Sequence, residues 1–179
     1  MNRPRSRESE CAAGGRYGAL ETVAGDSPMI KREDDGIWIV LHETIACHHD
    51  ELFSCLTTPD GLSRWFPVTA RVDLRTGGQI VLGWDKSFSR TSTITILEYK
   101  PDGHITWDWQ LARRDTHCPV YWTVEPSVEE GCRIEMRQGP FHDDAQSLMD
   151  MAEEAESWRW RLCNLRSVLE VALDMRQER

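Results

Sequence analysis

Two glutamates stand where strand alternation sends side chains inward. Glu43 continues the face of Ile39 and Leu41, and Glu98 continues that of Ile94 and Ile96. A carboxylate enclosed by apolar groups holds its proton above the usual range and can act as a general acid or base. Two such groups can divide the acid and base roles. The inward placement requires an unbroken alternation, because one extra residue moves a side chain to the opposite face. The structural alternative for each is a strand-end carboxylate that reaches solvent or pairs with an arginine. His42 and Asp108 have the opposite parity and face away, which argues against a His–Asp relay. His48-His49-Asp50 opens a helix and reads as capping chemistry at the surface rather than as a metal site. Asp73 and Arg75 flank the Gly77-Gly78 turn and read as an ion pair that fixes the hairpin. That turn has neither the lysine of a phosphate loop nor a G-x-G-x-x-G pattern.

The six cysteines, at positions 11, 47, 55, 118, 132 and 163, form no C-x-x-C pair and no zinc-finger spacing. They read as small buried hydrophobes. Cys47, beside His48 and His49, is the candidate for a catalytic thiol.

The most unusual count is eight tryptophans against three tyrosines and four phenylalanines. Trp84, Trp107, Trp109 and Trp122 share the inward face of alternating segments, and Trp158 lies on the apolar stripe of a long helix. Trp38 and Trp160 fall off these faces. Inward rings either fill a core, each burying ~150–250 Å², or line a concave small-molecule site. Both readings stay open here.

These residues need particular elements to hold them. Residues 1–36 mix glycine, proline and charge without apolar period and read as a flexible N-terminal tail. Residues 37–175 read as a single domain, and 176–179 as a C-terminal tail. Seven alternating segments begin at Ile37, with Cys132, Ile134 and Met136 the last. Two short helices follow the first segment, the second opened by Thr58-Pro59 as cap and first helical residue. From about Asp144 to Met175, Leu148, Met151, Ala155, Trp158, Leu162, Leu165, Leu169 and Ala172 recur in steps of three and four. A half-apolar sheet needs a cover, and this helix is long enough to supply it. The expected class is α+β: a curved seven-stranded antiparallel sheet wrapped around a long C-terminal helix.

The net charge of −9 and a pI near 5.1 disfavour nucleic acid and an anionic membrane surface as partners. No apolar run approaches the ~18 residues of a spanning helix. No apolar segment follows Arg3, Arg5 and Arg7 as in a signal peptide. The expected location is cytoplasmic.

Several strings together resemble a known family. Leu56-Thr57-Thr58-Pro59-Asp60-Gly61-Leu62, then Trp65-Phe66 and Asp73-Leu74-Arg75-Thr76-Gly77-Gly78, are similar to bacterial homologues of the activator of the Hsp-ninety ATPase. So are Leu97-Glu98 before Pro101, Thr106-Trp107, and Trp158 followed by Leu162, Leu165 and Leu169-Glu170. The resemblance covers roughly residues 37–173. It implies the START-like (SRPBCC) superfamily and the helix-grip fold of the birch-pollen allergen. It also implies a pocket for an apolar or amphipathic ligand beneath the C-terminal helix.

The expected function is therefore non-enzymatic binding of such a molecule. The residues expected to line the pocket are Trp65, Phe66, Trp84, Trp107, Trp109, Trp122, Met136, Trp158 and Leu162. Two alternatives are carried by the resemblance: a chaperone-associated interaction module, and a polyketide cyclase-like enzyme using Glu43 or Glu98. No cofactor or metal is expected, and the protein is expected to be a monomer or homodimer.

Overall fold

The computed structural model describes residues 29–111, 115–127 and 131–178. Eight strands and three α-helices follow one another along these residues. The strands β1 (Ile30–Glu33) and β2 (Gly36–Ile45) come first. They are followed by α1 (His49–Thr57) and α2 (Pro59–Trp65). Then come β3 (Thr69–Val72), β4 (Gln79–Gly83), β5 (Thr91–Lys100), β6 (His104–Asp108), β7 (Val120–Pro126) and β8 (Cys132–Phe141). The helix α3 (Ala145–Val171) and a 3-10 turn (Met175–Glu178) close the chain. One antiparallel sheet runs in the order β1-β2-β8-β7-β6-β5-β4-β3.

The sheet has eight strands where alternation marks seven. The additional one, β1, lies within the stretch that reads as tail from its composition, and residues 1–28 of that stretch fall outside the described residues. Ile-Lys-Arg-Glu has no apolar period, yet it pairs register for register with β2, Ile30 opposite Ile39 and Lys31 opposite Trp38. Trp38 points to the convex face and is nonetheless buried. Tyr121 lies 5.8 Å from its ring, the Arg137 guanidinium 4.9 Å, and its indole N–H donates to Asp35 Oδ1 at 2.9 Å. The outer face near this edge therefore carries a small aromatic patch of its own.

Local signals explain the helices. Thr58 ends α1 and caps α2, its Oγ1 accepting from the Gly61 N–H at 3.0 Å, with Pro59 beginning the helix. The two helices meet closely at Gly61, where a Cβ would stand 2.1 Å from the Ser54 carbonyl oxygen. His48 occupies the cap position of α1, but its side chain makes no capping bond. Asp144 caps α3, accepting from the N–H groups of Gln146 and Ser147 at 3.0 and 2.9 Å. At 1.5 Å per residue, α3 spans roughly 40 Å. Ala155, Trp158, Leu162, Leu165 and Val168 of α3 join the sheet's inner face in one core.

The last residues are packed rather than free-standing. Asn164, fully buried in α3, donates to the Trp65 carbonyl at 2.8 Å and accepts from the Met175 N–H at 2.7 Å. Arg176 donates to the carbonyls of Pro67 at 2.6 Å and Ser63 at 2.9 Å and pairs with Asp174. These bonds tie the chain beyond α3 to the end of α2.

Candidate functional site

The two glutamates occupy different environments from those alternation predicts. Between Ile96 and Glu98 the pairing of β5 with β6 shifts by one residue. This bulge turns Glu98 outward, where it is exposed and pairs with Lys100 Nζ at 2.8 Å. The inward position passes to Tyr99, whose ring stacks on Phe53 with centroids 6.2 Å apart. Glu43 does keep the inner face, but it meets arginines rather than an apolar wall. Its Oε1 accepts from Arg159 at 2.7 Å and its Oε2 from Arg166 at 3.5 Å. It thus pins α3 to β2. Three strands separate β2 from β5, so the two carboxylates do not form one site.

Cys47, Cys55 and Cys118 are not activated, and Cys163 is exposed rather than buried. Burial pushes Cys47 up to about 12, with Cys132 adding to the effect, and burial likewise raises Cys118 to about 12 and Cys55 to about 11. Asp73 and Arg75 do pair beside the glycine turn, Oδ2 to Nη2 at 2.9 Å. The turn is tight: a Cβ on Gly78 would stand 2.0 Å from the Asp73 carbonyl oxygen. Among the described residues no group of three or more His, Cys, Asp or Glu side chains is arranged to hold a metal.

The tryptophans do converge. Trp109 and Trp158 lie 4.9 Å apart, Trp107 and Trp122 5.1 Å, and Trp122 and Trp158 5.4 Å edge to face. Phe66 sits among Trp84, Trp107, Trp109 and Trp158. Trp65, at the end of α2, is fully buried rather than at a rim, and its indole N–H donates to the Cys55 carbonyl at 2.9 Å. With Met136 and Leu162, also fully buried, these rings make up the centre of the core.

Trp84 and Trp109, two of the nine expected lining residues, border an opening formed by described residues. They flank a groove of ≈ 310 Å³ at the end of the sheet beneath the middle of α3. Ile94, Ser92 and Thr93 of β5 form its floor side, and Glu153, Glu154, Ser157 and Arg161 of α3 its roof. Trp84 is held by its N–H bond to Ser92 Oγ at 2.9 Å.

Arg161 is the unexpected member. Its guanidinium carbon lies 4.5 Å from the Trp158 ring centre, 4.9 Å from Phe66 and 5.4 Å from Trp109. This is a cation held by ring faces. Burial lowers its affinity for a proton to a pKa of about 10, an effect partly offset by the Glu154 charge. It remains a cation at neutral pH. Its spacing carried a signal: Glu154, Trp158, Arg161 and Leu165 follow steps of four, three and four, the period of the buried face.

The buried polar atoms around this cluster are mostly donors. Trp107 Nε1, Trp109 Nε1, Trp122 Nε1, Gln138 Nε2 and Arg161 Nη1 have no acceptor among the described residues. Gln138 Oε1, by contrast, accepts from Trp158 Nε1 at 2.9 Å. Buried donors without partners are rare and call for an explanation at each site.

Comparison with known proteins settles the kinship of this architecture. The family described as "Activator of Hsp90 ATPase homolog 1-like protein" matches residues 46–170, more than half of the chain. The chain belongs to this family. No curated protein matches it. Solved structures share the helix-grip fold. The protein SSP2350 from Staphylococcus saprophyticus is 18% identical with a TM-score of 0.65, the match covering 78% of this chain and 96% of that one. The Aha1 dimer from Colwellia psychrerythraea is 18% identical at a TM-score of 0.62, covering 75% and 96%. CalU16 from Micromonospora echinospora is 22% identical at 0.57, covering 73% of each. Three residues of the strings that resemble the Hsp90 ATPase activator-like family have packing roles. Gly61 lets α1 meet α2, Trp65 fills the core, and Gly78 closes the hairpin. No helix among the described residues of this family member is long and apolar enough to cross a membrane.

Proposed function

We propose that this chain is a non-enzymatic binding protein for an apolar or amphipathic small molecule, held in the groove between β4–β6 and the middle of α3. The observation that carries the reading is the groove itself. It is concave, floored by Ile94, walled by the Trp84 and Trp109 rings, and supplied with one cation in Arg161. Its three apolar side chains, Trp84, Ile94 and Trp109, stand among polar and charged ones, a mixture that suits an amphipathic molecule. The helix-grip fold supports it by laying the middle of α3, from Glu153 to Arg161, beside Ser92, Thr93 and Ile94 of β5. The remaining expected lining residues act behind the groove, as the packed wall that holds Trp109 and Arg161 in place.

Titration of the full chain with fluorene, a rigid apolar ring system, tests this. Binding at the groove quenches tryptophan emission and raises the melting temperature with ligand concentration. Trp84→Ala weakens the quenching at least several-fold while the far-ultraviolet dichroism stays unchanged. Absence of any saturable change in wild type rejects the reading.

A further inference from the structure

The helix α3 has a second face, turned away from the core. Met149, Glu156, Trp160, Cys163, Ser167 and Val171 follow one another there in steps of seven, four and three, the helical period. Met149 and Val171 are 60% and 68% exposed, and they are the two most exposed large apolar side chains among the described residues. Trp160 lies half-buried between them. Along ~33 Å of helix this line carries one charge, Glu156.

The line is symmetric about Trp160. Met149 and Val171 stand eleven residues to either side of it, and eleven residues make three turns, so all three share one direction. A helix that meets a copy of itself antiparallel, with a twofold axis at Trp160, sets Met149 of each copy against Val171 of the other. The two Trp160 side chains then meet at the axis.

The charges have the matching polarity. Outside the core, residues 149–157 carry Asp150, Glu153 and Glu156, all negative, while residues 158–167 carry Arg159 and Arg166, both positive. Antiparallel pairing lays each acidic half over a basic half, whereas parallel pairing stacks like on like. It also opposes the two helix dipoles. A hollow of ≈ 300 Å³ lined by Glu153, Glu156, Ser157 and Trp160 lies on this face. In the twofold register it stands opposite residues 163–167 of the second copy, which bring Arg166 to two carboxylates and a ring. The charge of −9 on each chain opposes association at long range, but salt screens that repulsion beyond ~8 Å at physiological ionic strength.

We propose that the outer face of α3 is the interface of a homodimer, in which two copies of this helix pack antiparallel about a twofold axis at Trp160. The partner is a second copy of this chain, because both the apolar ends and the charge halves of the face complement themselves when reversed.

Sedimentation equilibrium of the full chain between about 1 and 200 µM tests this, since a self-association responds to concentration. The mean mass rises toward twice 20.7 kDa. Met149→Asp and Val171→Asp place a charge opposite an apolar group, and each raises the dissociation constant about tenfold or more while the far-ultraviolet dichroism stays unchanged. Leu97→Ser, at an exposed apolar residue of β5, leaves it unchanged. Should Val171→Asp fail to fold, Met149→Asp decides, because an acidic residue near the start of a helix is well tolerated. Cross-linking reads the orientation. In a Cys163→Ser background, Met149→Cys chains mixed with Val171→Cys chains join through a disulfide when oxidised with copper phenanthroline, and neither variant joins to itself. A monomer at every concentration overturns the proposal. So does a dimer whose dissociation constant Met149→Asp leaves unchanged. Cross-linking of Met149→Cys chains to one another overturns the antiparallel arrangement.

Discussion

The Arg161 guanidinium lies 4.5 Å from the centre of the Trp158 ring, on the same buried face of α3 and one turn away. A cation in that position is costly. Removing it from water disfavours the charged form, which is why its proton affinity falls. Ring faces return ~0.5–2 kcal/mol, while the effective penalty for a buried ion is several kcal/mol. An arginine that served stability alone would be a poor choice here.

The first prediction follows from that inequality. Arg161→Met combined with Glu154→Gln removes both buried charges and raises stability by roughly 1 kcal/mol, whereas Arg161→Met alone leaves the buried Glu154 carboxylate without its opposing charge and lowers it. Urea denaturation of wild type and both variants measures it. A loss of more than about 2 kcal/mol in the double variant would show the charged pair to be a structural element instead.

The second prediction concerns the two glutamates, whose roles diverge. Glu43 has a side chain only 11% exposed and joins Arg159 and Arg166 to β2. Glu43→Gln leaves two arginines of α3 without their shared carboxylate and lowers stability by about 1 kcal/mol, with a smaller difference at high salt. Glu98→Gln removes an exposed partner of Lys100 and leaves the denaturation midpoint unchanged. A large effect at Glu98 and none at Glu43 would reverse these assignments.

Much of the scaffold was legible because it obeys simple periods. Ile80 and Leu82, or Trp122 and Val124, alternate into the core as period two requires. Thr58-Pro59 and Asp144 announce helix starts by side-chain chemistry. The bulge in β5 was not legible, because nothing in Leu97-Glu98 distinguishes an extra residue from a regular one. It moved a candidate acid out of the interior. The strand β1 was hidden because an edge strand can be held by backbone pairing alone, without an apolar face. Arg161 keeps the helical period, yet a charged residue is ordinarily assigned to solvent, so its place among three rings was missed. Tryptophan alternation correctly foretold an aromatic interior. Period alone does not report whether neighbouring rings close on one another, as Trp107 and Trp122 do, or stop short, as Trp84 and Trp109 do at the groove.

The third prediction tests the contact between the short helices. Gly61 has ordinary backbone angles, and its constraint is space: an added Cβ would stand 2.1 Å from the Ser54 carbonyl oxygen and 2.8 Å from Cys55 Cα. Backbone atoms cannot swing aside as a side-chain tip does. Gly61→Ala therefore forces α1 and α2 apart and costs about 1–3 kcal/mol or more, despite alanine's better helix propensity. Thermal unfolding checks it. An unchanged or raised melting temperature would mean that the helices shift freely and that Gly61 has no packing role.

The fourth prediction is a pH dependence located at the C-terminal turn. Hydrogen bonds from the Arg176 side chain, helped by its backbone N–H and by Asn164, hold the Asp174 carboxyl down at about 2 from its usual 3.8. A lowered pKa in the folded state means that the folded chain binds its proton less readily than the unfolded chain. The resulting stability is fully present above pH 3.8 and is lost as pH falls through about 2. Asp174→Asn removes the ionisation but keeps the side chain's size. The variant is less stable than wild type at neutral pH, and the gap narrows as the pH drops below 3.8. Melting temperatures of both proteins from neutral pH down to the acid limit of folding provide the comparison. A constant gap across that range would show that the carboxylate's charge contributes nothing to anchoring Arg176 against the Pro67 and Ser63 carbonyls.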